Sequence, residues 1–188
     1  MSYYDSNAQA FFDDTVSLDM SSLYDEFLPL LPNNATILDV GCGSGRDSKA
    51  FKDKGFQVVA IEPSTALATF AQEIIGQHVE ITSIQQFQSN QSFDAVWACA
   101  SLLHISFSEL PSVFVQLSEL LKLSGVIYCS FKYGEREIIR GERVFTDVNE
   151  TLLVNMLPSM LSVRKVWVTA DLRQNRNGMW LNAILVKE

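Results

Sequence analysis

Cysteine is scarce in this chain. Three thiols, Cys42, Cys99 and Cys129, are spread over 188 residues, too few and too scattered for a disulfide framework or a zinc site. A reducing, cytoplasmic setting is the expectation. No stretch nears the ~20 apolar residues of a membrane span. The opening Met1-Ser2-Tyr3-Tyr4-Asp5 lacks the basic region that begins a signal peptide. Repeats, low-complexity tracts and Pro/Gly/Ser-rich linkers are missing, so one domain over 1–188 is expected, within the usual ~100–200 residues. Positive charge is short too: 14 Lys and Arg face 22 Asp and Glu, a net charge of −8. Nucleic-acid affinity rests on neutralising phosphates, so an acidic chain is a poor general binder. Neither nucleic acid nor membrane is an expected partner; monomer or homodimer stays open. The shortage is uneven. Residues 1–121 hold four basic side chains against 15 acidic, a net of −11, while 122–188 hold ten against seven, a net of +3. Such asymmetry can mark where an anion is handled.

Hydrophobic residues are plentiful, at 47%, enough for a sizeable core. Residues 7–31 carry helical spacing, with Phe11, Phe12, Thr15 and Leu18 in one run and Leu23, Phe27, Leu30 and Leu31 in the next. Ser21 is placed to cap the second helix, and Pro32-Asn33-Asn34 ends it. From residue 35 the period alternates. Strands are expected at 35–40, 56–61, 79–82, 93–98 and 125–131, and helices at 44–54, 64–75 and 110–123. Ser64 reads as an N-cap and Gly76 as a stop. Such alternation implies βαβ units and a parallel sheet covered on both faces. Only Ser83–Ser92 joins the third and fourth strands, so that crossover has room for one short turn. After Tyr133 come a helix at 148–157 and two long strands, 161–171 and 178–187, as an antiparallel ending.

The most informative segment is Ile37-Leu38-Asp39-Val40-Gly41-Cys42-Gly43-Ser44-Gly45-Arg46-Asp47. It is a hydrophobic strand feeding a glycine loop that opens a helix. Glycines let the backbone turn sharply and approach a ligand, and the helix start offers free N–H groups. The spacing is G-x-G-x-G, not the dinucleotide G-x-G-x-x-G, and no G-K-[ST] follows, which excludes a P-loop. Glu62 closes the second strand 21 residues after Gly41, where a carboxylate can accept both hydroxyls of a ribose.

Asp39-Val40-Gly41-Cys42-Gly43-Ser44-Gly45 resembles motif I of class I S-adenosyl-L-methionine-dependent methyltransferases. More narrowly, the chain resembles small methyltransferases of a tellurite-resistance-related subgroup. The segments that carry this are 43–48, Trp97-Ala98-Cys99-Ala100-Ser101-Leu102-Leu103-His104, Ser130-Phe131-Lys132-Tyr133-Gly134, and Tyr4, Asn7, Ala8, Phe11 and Asp19-Met20. The resemblance implies a Rossmann-like α/β fold with a seven-stranded, mostly parallel sheet and an antiparallel last strand. It implies an N-terminal helical lid over residues 1–34 and an α/β core over 35–188. The cofactor would be S-adenosyl-L-methionine, leaving as S-adenosyl-L-homocysteine. Gly41, Cys42, Gly43, Ser44 and Gly45 would wrap its methionine half, and Glu62 would hold the ribose, with Pro63 and Ser64 beside it. Ser83 and Ile84 would edge the adenine, and Ala98, Cys99, Leu103 and His104 would line the floor. Three positions depart from the family pattern. Glu62 replaces an Asp, Ser83 replaces an adenine-edge Asp, and Lys122-Leu123-Ser124-Gly125 replaces Lys-Pro-Gly-Gly.

Methyl transfer is an in-line displacement in which the protein chiefly positions and stabilises. A soft or deprotonated acceptor needs no general base. Asp39 either orients the loop amides and senses the cofactor's ammonium or is a structural carboxylate. Arg46 either pairs with the cofactor carboxylate or decorates the helix; a cation there opposes the helix dipole, which favours a functional role. Asp47 reads as a first-turn carboxylate of that helix. His104 either contacts the acceptor as a base or is structural. Cys42 and Cys99 are ordinary buried thiols or a facing pair. Residues 131–145 read as a self-paired charged loop or as an acceptor pocket built from Tyr133, Arg140 and Arg143. Tyr3, Tyr4 and Phe11 can cover the site. The expected activity is methylation of a small molecule that is neutral or anionic, a metalloid oxyanion among the candidates. A cofactor-binding sensor or partner-dependent subunit without its own activity is the alternative, and a nicotinamide dehydrogenase is a more distant one.

Overall fold

The computed structural model describes residues 3–141, 143–173 and 176–188. Three short helices lead the chain: α1 (Tyr3–Ser6), α2 (Ala8–Thr15) and α3 (Ser21–Phe27). Then come β1 (Thr36–Val40), α4 (Arg46–Asp53), β2 (Gln57–Ile61), α5 (Thr65–Ile75), β3 (Phe93–Ala98) and α6 (Leu110–Leu120). The last third holds β4 (Leu121–Lys132), β5 (Glu137–Arg140), β6 (Arg143–Thr146), α7 (Glu150–Met156), β7 (Leu161–Ala170) and β8 (Met179–Lys187). The main sheet has the order β2-β1-β3-β4-β8-β7. β1 to β4 pair in parallel, and β8 runs antiparallel between β4 and β7. β1 is buried along its whole length, as a strand covered on both faces should be.

The sheet holds six strands where seven were expected. The segment 79–82 pairs only at Glu80, whose N–H donates to Ala60 and whose carbonyl accepts from Glu62. Only Val79 of that segment is buried, under α5, while Ile81 is 51% exposed. An edge segment with nothing to bury gains little from pairing further. Residues 83–87 form the single turn expected of the short crossover, with Phe87 N–H on the Ser83 carbonyl. The α3 cap also differs: Asp19 accepts the Ser21 N–H at 2.9 Å, and Ser21 lies inside the helix. Ser64 caps α5 as expected, and Gly76 ends it with φ +68°.

Alternation along the strands divides the core. Leu38, Val40, Val96 and Ile127 face α6 and α7, meeting Val113, Phe114, Leu117 and Leu153. Ile37, Ala95, Trp97 and Tyr128 face Tyr24 and Phe27 of α3 and Phe51 of α4. That second face is aromatic, with Trp97 stacked on Tyr128 at 4.0 Å and tilted against Phe27 at 5.0 Å. Asp47 is buried at its margin. It accepts from Tyr24 Oη at 2.5 Å, Trp97 Nε1 at 2.8 Å and Arg46 Nε at 2.6 Å. The charged stretch expected as a loop is a hairpin, β5–β6, in register through Ile138 opposite Phe145. Among the described residues no helix is long and apolar enough to cross a membrane.

Removing one member of a buried ion pair leaves the other charge uncompensated, at a cost of about 3–5 kcal/mol. Asp47→Ala is therefore expected to lower unfolding stability by that order, measured by urea denaturation. A loss under about 1 kcal/mol, the size of an exposed pair, would show that Asp47 does not organise this face.

Candidate functional site

The glycine loop turns where β1 ends. Gly41 and Cys42 donate their N–H groups to the Ile61 carbonyl at 2.9 and 3.0 Å, tying the loop to β2. Gly41 has φ +69°, and a Cβ there would lie 2.8 Å from Ser101 Cβ. Gly45 has φ +79° at the start of α4, where a Cβ would lie 2.9 Å from Ala71 Cα on α5. Both positions need glycine for conformation and for space. Ser44 is buried between them. The Phe11 ring of α2 lies on Gly43, its Cε1 3.1 Å from where a Cβ would stand.

Glu62 reaches the loop from the end of β2. It is 5% exposed; one oxygen accepts the Gly43 N–H at 3.0 Å and the other the Ser64 N–H at 2.9 Å. Burial nevertheless raises its carboxyl to about 7. Ser64 Oγ donates to Asp5 at 2.7 Å, and the same Asp5 oxygen receives the Ala66 N–H at 3.3 Å. α1 thereby touches the start of α5, and Pro63 lies exposed beside it. Asp39 is buried beneath the loop, and its observed partner is Ser48 Oγ of α4 at 2.6 Å rather than a loop amide. Burial and the adjacent Asp47 charge push its carboxyl up to about 8.

A second group of side chains meets at His104. Nδ1 lies 3.0 Å from the Val144 carbonyl, which can only accept, so Nδ1 carries the proton. Nε2 then holds a lone pair and accepts from Tyr4 Oη at 2.6 Å. Burial, and next the Arg143 charge, lower the His104 pKa; burial raises that of Tyr4. Both are neutral near pH 7. Phe11 and Phe145 pack on the pair, Phe11 5.4 Å from Tyr4 and Phe145 5.0 Å from His104. The Arg143 guanidinium lies 3.4 Å from the Tyr3 ring and 4.9 Å from that of Phe145. Its Nε is buried and finds no partner among the described residues.

The other expected site residues divide. Ala98 and Leu103 are buried at the end of β3 and just after it, and Cys99 is half-buried. Ile84 is buried in the core and Ser83 sits at the turn after Glu80. Arg140, on the hairpin, lies 5.6 Å from the Phe145 ring. Tyr133 is not brought to His104; its ring is exposed and its hydroxyl donates to Glu150 at 3.1 Å. The strand-end side chain turned toward Phe145 is Lys132, at 5.5 Å. Arg46 is already engaged, with two nitrogens on Asp47 and a third on the Thr15 carbonyl. A cofactor carboxylate would have to compete with that pairing. Cys42 packs under α5 and Cys99 against the aromatic face, and both are free thiols. Two residues went unread. Asp5 has no periodic signal, since it acts through a helix of one turn. Ser101, whose buried Oγ has no partner among the described residues, sits against Gly41 within the already conspicuous run 97–104.

The donor set fits a ligand with a hydroxylated sugar and cationic groups. It offers a close-approach glycine loop, a buried carboxylate joined to it, and an unpartnered hydroxyl. No cluster of three metal-ligating side chains occurs among the described residues.

Residues 37–125 match the family model of the methyltransferase domain. A methyltransferase of provisional assignment from Bacillus subtilis (strain 168), YqeM, is 29% identical over 133 residues, which are 65% of this chain and 53% of that protein. The chain thus spans about half the length of the curated relatives it matches. Among solved structures, the 1,6-didemethyltoxoflavin-N1-methyltransferase of Burkholderia thailandensis, with its substrate and S-adenosylhomocysteine bound, superposes with a TM-score of 0.79. That match has 18% identity and covers 98% of this chain and 83% of the other. The N-methyltransferase NodS of Bradyrhizobium japonicum WM9, in complex with S-adenosylhomocysteine, gives 0.72 with 17% identity over 99% of both chains. The fold is the Rossmann-like α/β fold of class I methyltransferases.

By ¹⁵N NMR, His104 is expected to titrate below the ordinary ~6.5, as the Nδ1-protonated tautomer when neutral. Arg143→Gln removes a like charge and should move the midpoint upward. A midpoint at or above 6.5 in the unaltered protein would refute the buried, neutral imidazole.

Proposed function

We propose that the protein transfers a methyl group from S-adenosyl-L-methionine to a small-molecule acceptor. The observation that carries this reading is Glu62, buried at the end of β2 and joined to the glycine loop through Gly43 N–H. When bound, S-adenosyl-L-methionine supplies an electrophilic methyl group on a sulfonium. The chain's part is to bind, orient and exclude water. Gly41, Cys42, Gly43, Ser44 and Gly45 hold the methionine half, with Asp39 beneath them. Glu62 accepts from the ribose hydroxyls, Pro63 and Ser64 border them, and Ser83 and Ile84 edge the base. Ala98, Cys99 and Leu103 form the floor. His104 presents its Nε2 lone pair to the acceptor once Tyr4 withdraws, and takes a proton where the acceptor has one to lose. Residues 1–34 act as a lid over the core, with Tyr4 and Phe11 as its contacting side chains. Arg143 and Arg140 face the acceptor and favour a neutral or anionic one. A metalloid oxyanion, as in the tellurite-resistance-related subgroup, is within that class. The three unpaired thiols suit a cytoplasmic setting.

Labelled S-adenosyl-L-methionine incubated with the protein and a metabolite pool should yield a labelled product and S-adenosyl-L-homocysteine. Tight binding with no turnover on any pool would make the protein a sensor instead. Hydrogen bonds to a charged group contribute about 1.5–3 kcal/mol, so Glu62→Ala should weaken cofactor binding at least tenfold. Unchanged affinity would remove Glu62 from the ribose role. An ionised carboxylate accepts hydroxyls more strongly than a protonated one, so affinity should rise with pH through about 7. A flat profile by calorimetry would contradict this.

A further inference from the structure

Beyond the carboxyl end of β4 lies a cavity of about 400 Å³, lined in part by Lys132, Asp147, Asp171, Arg173, Arg176 and Met179. Its charges do not balance. Asp171 is committed to Arg173, accepting two guanidinium nitrogens at 2.9 and 2.6 Å and the Arg173 backbone N–H at 3.0 Å. That pairing holds its carboxyl at about 2, against the opposing effect of burial. Among the described residues no carboxylate lies within ion-pair distance of Lys132 or Arg176. Lys132 is pushed below its ordinary value by burial; Asp147 is the strongest charge acting on it and opposes this, while Arg173, Arg140 and Arg176 add to it. Three cations thus face two carboxylates in one sheltered concavity, and a positive excess there concentrates anions. This occurs in a chain of net charge −8, so it is local and not a general basic surface.

We infer that this cavity binds an oxyanion group, carboxylate or phosphate, through Lys132 and Arg176. Arg176 supplies a planar fork that matches two oxygens, and Lys132 a point charge. The position gives the site a use. The Phe145 ring lies 5.5 Å from Lys132 Nζ and 5.0 Å from the His104 ring, between centroids. An anion held at Lys132 directs the rest of its molecule past Phe145 toward His104. The oxyanion is then the remote handle of the methyl acceptor, and this assignment rests on the transferase reading, whereas the anion site itself does not.

The test titrates inorganic phosphate, and separately succinate, into the full chain at low ionic strength, followed by amide NMR. Saturable shifts are expected at Lys132, Gly178 and Met179, with at least one of the two anions. Phosphate alone assigns a phosphate handle, and succinate alone a carboxylate. Lys132→Met and Arg176→Gln, both at solvent-accessible positions, should each weaken the interaction at least tenfold. Affinity for S-adenosyl-L-homocysteine should not change. Absence of saturable shifts at those amides, or undiminished binding in both variants, would overturn the site. Cofactor binding by the unaltered protein is measured in parallel. Its absence, with phosphate still bound, would fail the transferase reading and leave the anion site standing. With an acceptor found, Lys132→Met should raise its KM at least tenfold with kcat little changed; an unchanged KM would remove the handle role.

Discussion

A buried carboxylate fixes the geometry on which the site depends. Asp47 carries its charge out of water, and that is tolerable only because Arg46, Tyr24 and Trp97 all donate to it. Those donors come from the start of α4, from α3 and from β3. One residue therefore joins the N-terminal helices, the middle of the sheet and the end of the glycine loop. Its charge also governs its neighbour. Two carboxylates in one dry region resist ionising together, and the guanidinium beside Asp47 decides which one does. Asp47 is held low, while Asp39 is driven up to about 8. The loop consequently rests on a nearly neutral Asp39, bonded to Ser48, and not on a second buried anion.

The legibility of the sequence follows the range of the forces involved. β1 and β3 could be read because buried parallel strands must be nearly continuous hydrophobic runs bounded by turns, and β2, though at the sheet edge, carries such a run after Gln57. The Ser64 cap was readable because capping acts over three residues. Residues 79–82 have strand composition, but pairing depends on what covers the outer face, and solvent does. The β5–β6 hairpin was concealed because Ile138 and Phe145 alternate among charges that read as a loop. The pairing that Arg46 makes was hidden for a related reason. Its partner is adjacent in sequence, yet the donors that bury that partner, Tyr24 and Trp97, are distant, and no local spacing announces them. The loop, Glu62 and the covering position of Tyr4 and Phe11 were legible; the bond from Asp5 to Ser64 was not.

This covering has a thermodynamic consequence. Asp5 bonds Ser64, Tyr4 bonds His104, and Phe11 lies on Gly43. Each contact is made to a group the site would use. Were a ligand to displace them, its observed affinity would be its intrinsic affinity reduced by the fraction of molecules in which they are open. Two of the three belong to a helix of four residues, and Phe11 to one of eight. Short segments with few buried apolar contacts lie at the low-stability end of a fold, which keeps that fraction from being vanishingly small.

At Glu62 burial works against the charged form of the side chain itself. Its folded pKa, about 7, lies above the ordinary carboxylate value. For a group shifted in that direction the folded state holds its proton more tightly than the unfolded chain. The resulting stabilisation is complete below the unfolded pKa of ~4.3 and disappears as pH rises through about 7. Near neutrality the site therefore holds a carboxylate that burial penalises and that two backbone N–H groups only partly satisfy. Hydroxyl donors brought to Glu62 would favour its charged form, the stronger acceptor. An exposed carboxylate would be more comfortable without ligand, and for the same reason less discriminating, because water would already supply what the ligand offers.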